Sequence, residues 1–366
     1  MAFIKELCIT QYRGIRNLII KRLNQVNLIV GDNNCGKTSV LEAIQLLCSS
    51  GKLADVYKVA RQREALSSVL SSNSIYDNLI CMFPRNNGSR LEISITGICD
   101  QSEIAYKLSG KQDKILVDPK ETNLRHDELT DIPDGELEAE AFEGDITLYY
   151  NKREQNQHIV VNQYSKLTGT VSSDKDVLNI VYVSPFAHLR GSIINKIIRY
   201  DSYKQICIKA MQLFDPDIED MMIFRSDIGN RPVEYIRHRK LGDMPLSTFG
   251  DGIKKVLAIS NAIAQAAGGI LLFDEVETSI HKKYYDDIFR FIMKACKKFD
   301  VQLFISTHSI EAIDGILAAQ DYDTQDISDD VCVCTLKKTE DGTFSRVLSG
   351  REVFENRAAF GFEVRL

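Results

Sequence analysis

The stretch Gly31-Asp32-Asn33-Asn34-Cys35-Gly36-Lys37-Thr38-Ser39 decides how the rest of the chain is read. It fits the pattern G-x-x-x-x-G-K-[ST], and its flanks are of the right kind. Before it, Val26 to Val30 is an uninterrupted apolar run that predicts a buried strand; after it, Val40, Leu41, Ile44 and Leu47 recur at helical spacing. A glycine-rich turn between strand and helix lets backbone amides face inward around phosphate oxygens, and the helix adds the partial positive charge of its N-terminus. Lys37 is then expected to reach the β- and γ-phosphates of a nucleotide, and Thr38 to offer its hydroxyl to Mg2+. Cys35 falls beside the helix N-terminus, whose field favours a thiolate, so a reactive thiol is expected there.

Working outward, Ile270-Leu271-Leu272-Phe273-Asp274-Glu275 is a run of apolar residues closing in two carboxylates. A buried strand of this kind brings its tip to the phosphates, with Asp274 placed to hold Mg2+ and Glu275 to orient or deprotonate the attacking water. Val301 to Ile305 is a second such run and ends at Ser306-Thr307-His308-Ser309, where the histidine can contact a γ-phosphate. Between them, Lys282 to Lys297 reads as an amphipathic helix. Ile180 to Val183 is a further short strand, and Leu7 to Ile9 and Leu18 to Ile20 are strands joined by a turn at Arg13 to Asn17. Apolar strands alternating with helices predict an α/β fold with a parallel sheet covered on both faces. Residues 90–98 and 146–164 alternate in the manner of strands and predict a β-rich lobe. Ile193 to Phe214 has helical spacing.

The length of 366 residues suits one large or two closely joined domains. No apolar run reaches the roughly 18 residues that span a bilayer, and the charges in Met1 to Arg16 come too early for a signal peptide; no membrane partner and a cytoplasmic location are expected. Nine scattered cysteines predict neither disulfides nor a zinc site, and Cys332 and Cys334 read as packing residues on one strand face. A formal charge of −6 argues against a surface built throughout for nucleic acid. Between Asp118 and Asp145, 11 acidic residues stand against 2 basic ones, which predicts a solvated, mobile insertion.

Taken in order, GDNNCGKTS, FGDGIKK, ILLFDEVETSIH and FISTHS resemble the ATP-binding-cassette (ABC) ATPases of the RecF, SMC and OLD kind, in particular the stand-alone bacterial AAA15/AAA21-type ATPases. TQYRGIRN near the start and REVFENRAAFGFEVR at the end add to the resemblance, whereas Leu53 to Asn179 carries no motif of it. It implies a P-loop ABC-ATPase head over residues 1–366: an N-terminal lobe 1–183 with the β-rich region, a short helical insertion 184–245, and a C-terminal lobe 246–366. Long coiled-coil arms and a Toprim domain are not expected, and Asp321-Tyr322-Asp323 reads as a solvated acidic loop. In such heads a signature segment of one subunit caps the ATP of the other. The resemblance places that signature at Gly250, Asp251, Gly252, Lys254 and Lys255, with Gly250 standing where the family has a serine unless Ser247 serves in a shifted register, and the D-loop at Ser279 to His281. It also implies that Arg13 and Arg16 lie near the nucleotide. Three functions follow as alternatives: an ATPase dimer that switches a separate effector, such as a nuclease or toxin in antiphage defence; a RecF-like clamp on DNA; and an ATP-dependent scaffold with little turnover.

Overall fold

The computed structural model of the protein describes residues 3–63, 74–84, 90–100, 102–118, 122, 137–165, 176–189, 194, 197–198, 201–225, 232–320, 322, 329–361 and 363–365. Strands β1 (Ile4–Tyr12) and β2 (Ile15–Ile20) form an antiparallel hairpin whose turn places Arg13 at φ 48. Strand β3 (Val26–Gly31) leaves that hairpin for a second sheet and runs into helix α1 (Lys37–Cys48). Short helices α2 (Leu53–Ala60) and α3 (Ile75–Ile80) lead back to the first sheet, which β4 (Leu91–Cys99), β5 (Ser102–Val117), β6 (Leu137–Tyr150) and β7 (Arg153–Asn162) extend in the order β2-β1-β4-β5-β6-β7.

This is the expected β-rich lobe, but it corrects one expectation. Residues 137–145, read as part of a mobile acidic insertion, belong to β6; most of 118–136 lies outside the described residues. The acidic side chains of β6 face outward while Ala139, Ala141, Phe142 and Ile146 face the core. Glu138 pairs across the strands with Lys114 at 2.9 Å, and Asp145 lies 3.0 Å from His158. Gly144 does not interrupt the strand. It faces Gly110, and a Cβ on Gly110 would come within 2.6 Å of the Phe142 ring, so the missing side chains make room for that ring.

The chain then enters the second sheet at β8 (Ile180–Val183) and leaves it for helix α4 (Asp201–Gln212) and a small antiparallel sheet of β9 (Ile218–Arg225), β10 (Pro232–His238) and β11 (Gly242–Pro245). The insertion expected to be helical is thus half sheet. Its few inward residues, Ile218, Met221 and Ile236, pack on Tyr203, Cys207 and Met211 of α4. Helix α5 (Asp251–Gln265) follows, then β12 (Ile270–Phe273), α6 (Tyr285–Lys298), β13 (Gln302–Ser306), α7 (Ile310–Ala318), β14 (Val331–Lys338), β15 (Thr343–Ser349) and α8 (Gly350–Phe360).

The second sheet has the order β15-β14-β3-β13-β12-β8, parallel except for its β15 edge. Because side chains alternate along a strand, Leu28, Val30, Leu271, Phe273, Leu303 and Ile305 face one core with α5, α6 and α7, while Ile29, Ile270, Leu272 and Phe304 face the other. That other core contains α1, which lies between the two sheets and is buried from Ser39 to Cys48. Among the described residues no helix is longer than the 15 residues of α5, so no coiled-coil arm is present among them. None is long and apolar enough to cross a membrane.

Candidate nucleotide site

The carboxyl ends of β3, β12 and β13 converge because the three strands are parallel neighbours in register, Leu303 opposite Val26 and Leu271 opposite Leu303. Brought to one edge are the loop after β3, the carboxylates after β12 and the polar residues after β13. The loop needs conformations that side chains resist: Gly31 has φ 138 and Gly36 φ 107, and a Cβ on Gly31 would come within 2.4 Å of the Leu336 carbonyl oxygen. Helix α1 has Gly36 at its N-cap, no side-chain cap and no acidic residue in its first turn, so its leading amides are left for an anion. The Lys37 ammonium spans the loop, donating to the carbonyls of Gly31 at 2.9 Å and Asp32 at 2.8 Å. Asp32, Asn33 and Asn34 are exposed on the loop.

Asp274 is 5% exposed and is held on all sides by hydroxyls. Thr38 donates to its Oδ1 at 3.2 Å, Ser306 to the same oxygen, and Tyr182 of β8 to its Oδ2 at 3.0 Å. Thr38 and Asp274 are 236 positions apart in sequence. An oxygen-only donor set of this kind fits Mg2+. Glu275 follows with a left-handed backbone, φ 48, and its N–H donates to Ser306 Oγ at 3.0 Å. A non-glycine residue in that region is strained by about 1–2 kcal/mol, which the Ser306 hydrogen bond helps to hold. Glu275 lines a cavity of about 530 Å3 together with Lys37, Thr38, Ser39, Arg13 and His308.

Sequence reading missed the charge network under this cavity. Glu42 on α1 is fully buried, and such a carboxylate needs partners. Arg13 Nε donates to it at 2.8 Å, Arg63 Nε at 2.6 Å and the Tyr12 hydroxyl at 3.0 Å, while Arg63 also reaches Ser39 Oγ at 2.9 Å. Arg13, Arg63 and Lys338 line both this cavity and an adjoining one; of the two arginines expected near the nucleotide, Arg13 lines the loop's cavity and Arg16 only the adjoining one. An acidic residue between Leu41 and Ala43, on the apolar face of α1, was the available signal for Glu42; Arg63 carried none.

Two expectations are corrected. Cys35 is 4% exposed, and burial raises its thiol above the ordinary value despite the neighbouring Lys37, so it is a packed thiol and no thiolate. Lys255 is fully buried within its own subunit, where its ammonium donates to the Pro185 carbonyl at 3.0 Å; it cannot face a partner as the signature reading required. Gly250 and Asp251 are exposed at the start of α5, with nothing within 4 Å of a Cβ on Gly250, and Lys254 is tied to Asp251 at 3.4 Å. A Cβ on Gly252 would come within 3.0 Å of Phe214. Among the described residues that line the nucleotide cavity, none comes from 250–254. Ser279 has φ 67 and lies 3.3 Å from Nε2 of buried His188, while His281 accepts from the Lys283 N–H and caps the turn into α6. Asp321 and Asp323 lie outside the described residues.

Strand, glycine loop and helix, with an acidic strand end meeting the loop hydroxyl, define a P-loop nucleoside triphosphatase. A family profile described as an AAA ATPase domain matches residues 3–227, and the chain belongs to that family: it is a P-loop ATPase of the RecF/SMC-like type, and it hydrolyses ATP. Residues 190–314 match a second AAA domain profile, whose description links it to the AbiEii toxin of a type IV toxin–antitoxin system. Among curated relatives, an ATP/GTP phosphatase of Helicobacter pylori is 22% identical over 87% of this chain and 90% of that protein. The DNA replication and repair protein RecF of Rickettsia canadensis is 23% identical over 86% of this chain and 96% of that protein. Among solved structures, an SMC head bound to the C-terminal winged-helix domain of ScpA superposes with a TM-score of 0.52 at 12% identity, covering 96% of this chain and 99% of that one, a likeness of fold.

Proposed function

We infer that the protein hydrolyses ATP with Mg2+ in a site completed by a second copy of itself, and that the ATP-bound dimer switches a separate effector protein. The observation that carries the ATP site is the 3.2 Å hydrogen bond between Thr38 and Asp274, which joins the phosphate loop to the acidic strand end. Loop amides of residues 31–39 and Lys37 bind the phosphates; Thr38 and Asp274 hold Mg2+, which would neutralise phosphate charge. Glu275 orients or deprotonates the attacking water. His308 contacts the terminal phosphate. Arg13, Arg16 and Arg63 add positive charge at the mouth of the cavity. Gly250, Asp251, Gly252 and Lys254 cap the nucleotide of the partner, and Ser279 and His281 lie on the loop that follows the acidic residues. The exposure of Gly250 and Asp251 at the start of α5 supports that arrangement. The effector, with a role in defence, is supported by the AAA domain profile matched over 190–314. A DNA clamp is the alternative and has support from the RecF relative; it requires DNA affinity that falls steeply with salt.

Turnover of wild type, Lys37→Ala and Glu275→Gln tests the site. Lys37→Ala is expected to lose nucleotide affinity, whereas Glu275→Gln keeps affinity and loses on the order of 10^2 to 10^4 in kcat. Wild-type kcat in Glu275→Gln, or wild-type affinity in Lys37→Ala, contradicts the assignment.

A further inference from the structure

His308 is presented to the nucleotide cavity on an exposed ring, yet two of its four polar atoms are hydrogen-bonded and a third, Nδ1, lies close to a carboxylate. Its main-chain N–H donates to Glu277 Oε1 at 3.1 Å, its ring Nδ1 lies 3.3 Å from the same oxygen, and its carbonyl accepts from Arg365 Nη1 at 3.1 Å. Arg365 is itself set by a fork to Glu363, Nε to Oε1 at 2.8 Å and Nη2 to Oε2 at 3.0 Å. The adjoining Val364 is buried, and its carbonyl accepts from Thr335 at 2.7 Å, so the support for His308 is fixed to the second sheet. Glu277 is as constrained as its partner is open: its side chain is 10% exposed against 52% for His308, and its Oε2 is buried with no hydrogen-bond partner among the described residues. Its charge is set against the ammonium of buried Lys255, which senses Glu277 more strongly than Asp274 or Glu275.

We propose that Glu277 is a positioning residue for His308: one carboxylate oxygen takes both the main-chain N–H and the Nδ1–H, fixing the ring and its tautomer so that Nε2 faces the terminal phosphate. A carboxylate behind an imidazole chooses which nitrogen carries the proton and removes the ring's rotational freedom before substrate arrives. Glu275 is not placed for this part, because it lines the cavity itself, while the residue two positions on accepts from the loop after β13. The inference rests on the reading of His308 as the phosphate contact.

The test is a double-mutant cycle on steady-state ATP turnover. His308→Ala is expected to lower kcat on the order of 100-fold and Glu277→Ala about 10-fold, with KM for ATP within about two-fold of wild type in both. If Glu277 acts through His308, the double variant is no slower than His308→Ala alone. Glu277→Gln keeps the side chain's shape and an acceptor oxygen, so it is expected to lose less than Glu277→Ala at an unchanged thermal midpoint; it serves as the variant of record if Glu277→Ala does not fold. Losses that multiply in the double variant overturn the proposal, as does wild-type turnover in both Glu277 variants. Wild-type turnover in His308→Ala instead removes the phosphate contact itself, and the positioning role with it.

Discussion

Asp274 has one hydrogen bond that sequence motifs do not specify, the one from Tyr182 at 3.0 Å. Burial first, then the neighbouring Asp274, raises the Tyr182 phenol far above its ordinary range, so it stays a donor at every working pH. Groups that orient a metal-binding carboxylate are commonly worth about 10–100-fold in metal affinity. Tyr182→Phe is therefore expected to raise the Mg2+ concentration for half-maximal turnover about 10-fold, with Mg2+-free nucleotide binding unchanged. Titrating Mg2+ at saturating ATP checks this, and an unchanged midpoint removes Tyr182 from the site. Lys255 bears on stability. Burial pushes its ammonium down from 10.5 to about 8, against the pull of Glu277, Asp274 and Glu275. Because the folded value lies below the unfolded one, the unfolded chain holds more protons between about 8 and 10.5, and this group's contribution improves as pH rises through that window. Below it the penalty of the buried charge is in full force. Lys255→Met is expected to stabilise the fold by about 1–3 kcal/mol at pH 7, partly offset by the Pro185 carbonyl losing its donor, and the gain is expected to shrink above pH 8. Thermal melts at pH 7 and pH 9.5 measure it; a lower midpoint at pH 7 contradicts the sign.

At the scale of elements, Ile180–Val183 and Ile270–Phe273 were legible to the residue, because a parallel strand covered on both faces is a short apolar run with polar ends, a pattern kept even by the half-buried edge strand β8. The acidic stretch misled because it was read by composition. Its period was there: Glu138 and Glu140 alternate with Ala139 and Ala141, the pattern of a strand with one wet face. Strands β9 to β11 were missed for another reason. They bury so few side chains that Ile218–Arg225 shows no clean alternation, and only packing on α4 makes them a sheet. Arg63 and Glu277, and the partners of Glu42, became visible only when the fold joined distant segments. The start of α5 gives the test of the signature. Gly252→Asp would be ambiguous, since its Cβ meets Phe214. Gly250 is the N-cap of α5, at φ −64 and in open space, where aspartate is a favoured cap. Gly250→Asp is expected to hold or raise the thermal midpoint and preserve ATP binding, yet lower turnover at least about 10-fold by setting a carboxylate against the partner's phosphates. Wild-type turnover in that variant removes α5 from the site.

Across the whole molecule, two sheets share α1, so the phosphate loop is anchored from both sides: Ile29 and Phe304 pack below the helix, and Leu7, Ile93 and Ile95 pack above. That arrangement leaves one edge of the parallel sheet open with the loop, Glu275 and His308 on it. The start of α5 lies outside that cavity. If a second copy caps the nucleotide, as proposed, the mass of Glu275→Gln in solution reports it. With hydrolysis blocked, light scattering is expected to show a monomer without nucleotide and a dimer of twice that mass with Mg2+ and ATP. A monomer at saturating ATP, with nucleotide demonstrably bound, would rule out a cap supplied by a second copy.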